Sequence, residues 1–170
     1  AAIVLAIDLQ TGDRSIVTDP STGSGPMTGS TIVGLTTDDV GDTLYVANND
    51  EEIVAVDRAT GNRTMVSNGS TGSGPPIEEI RALFFDGTSI LAIEPFAVTR
   101  VDPATGERTT LANSLTGAGA YPSTQAAALD PTRTTVHVIS YDRTFDIDLA
   151  TGARTVTSDG PGDGPLFAVR

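Results

Sequence analysis

The chain has 170 residues, contains no cysteine, lysine or tryptophan, and carries a formal net charge of −12. The absence of cysteine excludes disulfides and thiolate metal centres, and the acidic balance argues against a nucleic-acid partner, whose phosphates need a basic surface. No apolar run approaches the roughly 20 residues of a transmembrane helix. Residues 1–8 predict a strand rather than a signal peptide, because they are apolar without a basic start.

Short strands are predicted along the whole chain. Runs rich in Val, Ile, Leu, Thr and Tyr are bounded by Gly, Asp and Asn, which is typical of strands joined by tight turns. No segment keeps a 3.6-residue apolar period, so almost no helix is expected. The predicted strands span residues 3–8, 14–19, 31–37, 43–48, 52–57, 63–68, 80–85, 89–93, 98–102, 108–112, 125–129, 135–140, 144–148 and 154–157.

One turn motif, D-x-x-T-G-x-R-[ST], occurs four times at a period typical of repeat architectures. We interpret it as structural. The glycine supplies the positive φ of a hairpin loop, the aspartate accepts N–H groups of the turn, and the arginine lies opposite that aspartate in a weak ion pair. The turn residues are Asp8, Gly12, Arg14, Asp57, Gly61, Arg63, Asp102, Gly106, Arg108, Asp148, Gly152 and Arg154.

A second motif, G-x-G-P, follows each turn and predicts a connector to the next unit. It begins at glycines 23, 72 and 162 and is degraded at 117. Four antiparallel strands per unit, joined by such connectors, predict an all-β fold, a β-propeller. A sandwich does not explain why turn and connector recur in phase. The expected units are a half blade at 1–25, blades at 26–74, 75–119 and 120–164, and the first strand of a further blade at 165–170.

About four repeats of four antiparallel strands make the propeller incomplete or part of a larger ring. Unpaired strand edges and an exposed apolar blade face favour association. Two arrangements are therefore expected: the chain belongs to a propeller of roughly 6–8 blades, or another polypeptide supplies the missing strands. A four-blade ring closed by the two ends is the third arrangement.

The repeats resemble the NHL-like and YVTN-type propeller repeats of bacterial exported proteins. The resemblance rests on Leu44-Tyr45-Val46-Ala47-Asn48, Ile53-Val54-Ala55-Val56-Asp57 and Thr60-Gly61, which are similar to the LYVAD…I…VD…TG pattern of those repeats. It implies a propeller in an extracellular, cell-surface or periplasmic bacterial protein. It implies no single activity, because the family includes scaffolds, binding modules and some enzymes.

The candidate binding site comprises the loops between second and third strands, which propeller topology places on the same face as the connectors. These loops break the repeat, and irregular loops are the better pointer to function. The candidate partner-binding residues are Asn48, Asn49, Asp50, Glu94, Phe96, Tyr121, Tyr141, Asp142 and Arg143. Amide and carboxylate oxygens suit Ca²⁺. The candidate metal ligands are Asn49, Asp50, Glu94 and Asp142, and no other cofactor is expected.

The single histidine, His137, lies in a predicted strand, and no nucleophile or third group marks a catalytic triad. The phenylalanines are expected to pack between blades. We therefore expect a non-catalytic extracytoplasmic module that binds a protein, a glycan or another copy of itself. The alternatives are a Ca²⁺-dependent propeller enzyme, such as a lactonase or polysaccharide lyase, and a structural repeat of a surface or filament assembly.

Overall fold

Fourteen strands form the regular structure of residues 2–121, 123–141 and 143–159, the part that this computed structural model describes. No helix occurs there, and hence none that could cross a membrane. The strands are β1 (Val4–Ile7), β2 (Arg14–Thr18), β3 (Ile32–Thr37), β4 (Thr43–Asn48), β5 (Ile53–Asp57), β6 (Arg63–Ser67), β7 (Ala82–Phe85), β8 (Ile90–Ile93), β9 (Ala97–Val101), β10 (Arg108–Asn113), β11 (Ala126–Leu129), β12 (Thr135–Ser140), β13 (Arg143–Asp148) and β14 (Arg154–Asp159).

Each sheet is an antiparallel meander in chain order. Strands β1 and β2 form a two-stranded sheet, and the three four-stranded sheets are β3–β6, β7–β10 and β11–β14. These are the strands that the sequence predicts, with ends differing by one or two residues, and the fold is the expected all-β, incomplete propeller. The predicted strand within 165–170 lies outside the described residues.

The hydrophobic core lies between sheets rather than inside any one of them. Neighbouring residues of β4 show why: Leu44 and Val46 pack toward the first sheet, and Tyr45 and Ala47 toward the third. A further cluster joins the third and fourth sheets through Leu91, Ile93, Val98, Val136, Val138, Phe145 and Ile147. Because successive side chains of a strand point to opposite faces, each inner sheet contributes to two cores.

Burial follows from this stacking. All four residues of β8 are buried, because a sheet covers each of its faces. In β12 burial alternates, with Val136 and Val138 buried and His137 exposed. The His137 ring nitrogen Nδ1 lies 2.7 Å from Oδ1 of Asp146, its cross-strand partner on β13. The histidine is therefore a surface strand residue.

The Thr-Gly turns form as predicted. In the second copy, Oδ1 of Asp57 accepts the N–H groups of Ala59 at 3.0 Å and Thr60 at 2.8 Å, and also the Thr60 hydroxyl. These bonds, the hydroxyl's first, lower the pKa of Asp57 below its usual value. Gly61 has a φ of +73° and its N–H donates to the Asp57 carbonyl at 2.8 Å. The aspartate thus holds the loop whose glycine reverses the chain.

The prediction that the motif arginine pairs with its own aspartate is wrong. Arg108 is buried, and its guanidinium reaches back to the preceding connector. Nε donates to the Pro75 carbonyl at 2.8 Å, and Nη1 donates to Ser67 Oγ at 2.7 Å, the Asn68 carbonyl at 2.8 Å and the Thr71 carbonyl at 3.1 Å. The physical reason is that the connector's turns present several main-chain carbonyls, each able to accept more than one hydrogen bond, to a guanidinium group that offers five donors.

The same contact recurs at the other two junctions between sheets. Arg63 donates to the carbonyls of Pro26, Asp19 and Thr22, and Arg154 to those of Gly119, Thr116 and Gly117. Both side chains are buried. We call this contact the arginine clamp: a buried motif arginine bound to carbonyls of the connector that follows the preceding sheet.

The connector glycines permit the clamp because the two backbones touch. A Cβ on Gly72 would lie 2.0 Å from the Gly106 carbonyl oxygen, and one on Gly74 would lie 2.1 Å from that of Arg108. The Arg108 N–H also donates to the Ser73 carbonyl at 2.7 Å. Only glycine fits at this approach, which accounts for the G-x-G spacing.

Replacement of Arg108 by alanine is expected to lower the free energy of unfolding by about 2–4 kcal/mol, because a buried guanidinium and its four hydrogen bonds are lost. The matched control is Arg14→Ala, which changes the equivalent but exposed arginine and should cost less than about 0.5 kcal/mol. Urea unfolding followed by circular dichroism measures both. Equal losses in the two variants would contradict the clamp.

Candidate functional site

The loops between second and third strands lie against the connectors, as the sequence predicts. The N–H of Glu78, in the connector to the third sheet, donates to Oε2 of Glu94 at 2.8 Å. The N–H of Thr124, in the next connector, donates to the Pro95 carbonyl at 2.8 Å. The β8–β9 loop is therefore held between two connectors, and it forms the centre of the candidate site.

Glu94 is a buried carboxylate with both oxygens bound. Oε2 accepts the N–H of Glu78, and Oε1 accepts the Thr99 hydroxyl at 2.7 Å. Only 4% of the Glu94 surface is exposed. Burial raises the pKa of Glu94 above its usual value of 4.5; the two hydrogen bonds oppose this rise, and the charges of Glu78 and Glu51 add to it. Glu94 thus fixes the connector to the loop, and its charge faces other carboxylates.

A cleft of about 370 Å³ opens beside Glu94. Its acidic residues are Glu78, Glu79 and Glu94, and its apolar wall includes Pro95 and Phe96. Further lining residues are Pro75, Pro76, Ala97, Thr99, Thr110, Asn113 and Ser114. Phe96 does not pack between blades as expected, since 66% of it is exposed. Glu79 is paired with Arg81 at 2.7 Å, so Glu78 supplies the exposed charge of the cleft.

The β4–β5 loop divides into a structural and an accessible part. Asn48 is buried, and its Oδ1 accepts the N–H groups of Asp50 at 2.9 Å and Glu52 at 3.1 Å. Its Nδ2 donates to Glu52 Oε2 at 2.9 Å. Asn49 and Asp50 are exposed. Asn48 therefore closes the loop, whereas its two neighbours remain available to a ligand.

A second cleft, of about 380 Å³, is lined by Asp50, Glu51, Ile77 and Arg108. It therefore adjoins an arginine clamp.

Among the described residues, no hydrogen bond of ordinary geometry reaches the buried hydroxyl groups of Tyr121 and Thr124, although their interaction with each other lowers the Tyr121 pKa. The Tyr121 ring lies 5.2 Å from the guanidinium carbon of Arg154, within the range of a cation–π contact. Burial is the main cause that raises the Tyr121 pKa, with a smaller contribution from the Glu94 charge. Tyr121 therefore contacts the arginine of a clamp, and it is part of the junction between the third and fourth sheets as well as of the candidate site.

The β12–β13 loop contributes exposed residues. Tyr141 is 76% exposed, and Arg143 is exposed at the start of β13. Asp142 lies outside the described residues, so its predicted role in binding is left as a prediction.

Strained backbone concentrates on this face. Among the described non-glycine residues, four have positive φ, and three of them lie in these loops and connectors: Glu51 at 63°, Glu79 at 35° and Tyr141 at 38°. A left-handed conformation costs an ordinary residue about 1 kcal/mol. Such strain clusters at binding sites, where it fixes side-chain direction.

The predicted calcium set is not assembled by the described residues. No three carboxylates or imidazoles within 2–121, 123–141 and 143–159 are grouped so that they could hold a metal ion. Because Asp142 is not among them, the set of Asn49, Asp50, Glu94 and Asp142 stays a prediction.

Thr99 and the Glu78 N–H are contributions that sequence reasoning missed. Both hold Glu94, and neither carries a sequence signal beyond its position near an irregular loop. The buried state of Glu94 could have been inferred from its place directly after an apolar strand.

Replacement of Glu94 by alanine is expected to destabilise the protein by about 2–3 kcal/mol at pH 7, because the Thr99 hydroxyl and the Glu78 N–H lose their acceptor. Glu94→Gln keeps an acceptor and should cost much less. The pKa of Glu94 is higher in the folded than in the unfolded state, so the folded state binds its proton more tightly. This contribution to stability is complete below pH 4.5, the usual pKa, and is lost as the pH rises through the folded-state pKa.

The Glu94→Gln variant should therefore gain stability relative to the wild type as the pH rises from about 4 to 7.5. Chemical unfolding across this range measures the difference. Glu107→Gln, at an exposed turn, controls for the change in net charge. A constant difference across pH would contradict an elevated pKa.

The calcium hypothesis predicts that about 5 mM CaCl₂ raises the melting temperature by a few degrees, because an ion that binds only the native state stabilises that state. Asp50→Asn and Asp142→Asn should abolish the increase in melting temperature. Asp13→Asn, in the first Thr-Gly turn and distant in sequence from both, should not. Differential scanning calorimetry gives the result, and an unchanged melting temperature in the wild type would refute the calcium site.

Solved structures similar to this chain are β-propellers. The β-propeller domain of Cps50 (Swd1) from Myceliophteria thermophila matches 93% of this chain and 50% of its own length, with 16% identity and a TM-score of 0.61. The extracellular domain of a putative one-component system from Bacteroides thetaiotaomicron matches 92% of this chain and 20% of its own, with 15% identity and a TM-score of 0.62.

A structural genomics protein of unknown function from Bacteroides thetaiotaomicron matches 86% of this chain and 39% of its own length, with 12% identity and a TM-score of 0.61. Neither the protein-family models nor the curated proteins give a match to the sequence. The chain thus spans half or less of the length of each of these three structures, and the likeness establishes its fold as that of a β-propeller.

Proposed function

We propose that this chain is a non-catalytic propeller module that binds a partner protein by receiving one of its basic side chains. The binding place is the cleft between residues 75–79 and the β8–β9 loop. The observation that carries the proposal is the exposed aromatic ring of Phe96 beside the carboxylates of Glu78, Glu79 and Glu94.

The chemistry of this cleft fits a cation with an apolar stem. A guanidinium or ammonium group can bind carboxylate oxygens through charge-assisted hydrogen bonds, and its methylene groups can pack on proline and aromatic surface. Glu94 lies buried behind Glu78 and makes the potential of the cleft more negative. Aromatic and arginine contacts are also the pairs that dominate protein interfaces.

The net charge of −12 supports the same kind of partner. A strongly acidic surface attracts basic proteins at long range and repels acidic ones, which raises association rates at low salt. The proposed interaction should therefore weaken as salt is added.

An exported location belongs to this proposal. It rests on the resemblance of the repeats to NHL-like and YVTN-type propellers and on the similar fold of an extracellular domain from Bacteroides thetaiotaomicron. The acidic, cysteine-free composition is compatible with that setting.

NMR titration with capped hexapeptides that carry a central arginine tests the cleft. Resonances of residues 76–79 and 94–97 are expected to shift together. Glu78→Gln should raise the Kd about fivefold, which corresponds to about 1 kcal/mol, because one charge-assisted bond is lost. Phe96→Ala should have an effect of similar size, because the peptide loses its apolar contact.

The matched controls change a carboxylate and an exposed apolar side chain elsewhere. Glu107→Gln removes an exposed turn carboxylate, and Leu9→Ala removes a side chain that is 95% exposed. Both should leave the Kd unchanged. Peptide binding that is equally sensitive to Glu107→Gln would mean non-specific attraction to an acidic protein. A neutral glycan that shifts the same resonances, with binding independent of Glu78, would replace the proposed ligand class.

A further inference from the structure

Three of the four Thr-Gly turns dock onto a connector, and the first one does not. A Cβ on Gly61, Gly106 or Gly152 would lie 2.0–2.6 Å from a carbonyl oxygen of the preceding sheet's last strand, whereas one on Gly12 would meet no atom within 4 Å. Within the described chain, Arg14 is exposed and has no hydrogen-bonded partner, whereas Arg63, Arg108 and Arg154 are buried in clamps.

The first turn nevertheless has the geometry of the docked ones. Gly12 has a φ of +78°, against +73° for Gly61, and its N–H donates to the Asp8 carbonyl at 2.8 Å, as that of Gly61 donates to Asp57 at 2.8 Å. Oδ1 of Asp8 accepts the N–H groups of the loop in the same way. The docking surface is therefore preformed and needs no rearrangement to receive a connector.

Apolar surface adjoins this turn. Leu5, Ile7 and Ile16 are each about half exposed, and Leu5 pairs with Ile16 while Ile7 pairs with Arg14 across the two strands. They lie on the face of the first sheet opposite Val4, which packs against the second sheet. In the inner sheets, the corresponding face is covered by a neighbouring sheet.

We infer that the Gly12–Arg14 turn and the apolar face beside it form a docking site for the glycine-rich connector of another propeller blade. The ligand is a segment of the pattern [S/T/A]-[D/N]-x-x-T-G-x-G, as found in residues 18–25, 67–74 and 112–119. Its carbonyls bind the Arg14 guanidinium, and its first glycine packs on Gly12. The same chain makes both contacts, arginine to connector carbonyls and glycine to glycine, at its three junctions between sheets.

A connector of the full pattern, outside this sequence, fits the site better than the last segment of a second copy. The segment following the last turn, residues 158–165, has two residues between Asp159 and Gly162, where the other three connectors have three. The missing residue is the threonine whose carbonyl accepts Nη1 of Arg63, Arg108 or Arg154 in every observed clamp. A second copy would thus offer Arg14 one acceptor fewer.

Tethering a connector to the chain tests this inference. A copy of residues 67–76 is joined ahead of Ala1 by about 15 glycine and serine residues, which span roughly 20 Å and hold the segment at millimolar effective concentration. We expect the melting temperature to rise by about 3 °C, because the segment binds only the folded state. The Nε–H of Arg14 should also become protected from exchange with solvent.

Two matched variants isolate the contact. In the first, the appended copy carries alanine at the positions of Gly72 and Gly74, where a Cβ would strike the backbone of the turn. In the second, the extended chain carries Arg14→Ala, which changes an exposed residue and leaves folding intact. Both should return the melting temperature to that of the unextended chain.

Three outcomes of the tethering experiment would overturn the inference. These are no increase in the melting temperature and no protection of Arg14 on extension, an increase that survives Arg14→Ala, and an increase that survives the two alanines in the appended copy. Self-association of the unextended chain that disappears in Arg14→Ala would also overturn it, by making a second copy the occupant. Analytical ultracentrifugation distinguishes that case.

Discussion

The fold depends on one contact, the burial of a motif arginine against the main-chain carbonyls of the preceding connector. In each of the three junctions the guanidinium binds carbonyl groups that the connector's turns leave unpaired. Lysine, with a compact ammonium group, could not reach acceptors arranged around a plane. The clamp thus explains why the repeat specifies arginine after the turn, and why glycines recur where two backbones touch.

The clamps join each connector to the outermost strand of the next sheet, and this leaves the loops between second and third strands free to differ. The three equivalent positions where the second strands end are Asn48 in β4, Glu94 directly after β8 and Ser140 in β12. The first closes its own loop, and the second fastens a connector. Variation at these positions changes how each loop is held, and so changes the surface that the loop offers to a ligand. The acidic cleft beside Phe96 is one product of that freedom.

Much of the fold could be predicted from the sequence, because period-two apolar runs and repeated turns are local signals. The strands, the turn aspartates and the position of the loops are confirmed. The role of the arginines was missed because their partners are carbonyl groups, which leave no trace in the side-chain sequence. The burial of Glu94 was missed although its place directly after an apolar strand indicates it, and Phe96 is exposed rather than packed between blades. The binding and metal assignments of Asn49, Asp50, Tyr141 and Asp142 stay predictions.

Recognition between units through the main chain has an evolutionary consequence. The third connector has Ala120 where the first two have Pro26 and Pro75, yet Arg154 still finds its carbonyls there. Because backbone carbonyls are common to all sequences, side chains in a connector can drift as long as its glycines remain. A gene built this way can gain, lose or exchange repeats by recombination, since any unit that ends in such a connector is compatible with any unit that begins a turn with glycine and arginine.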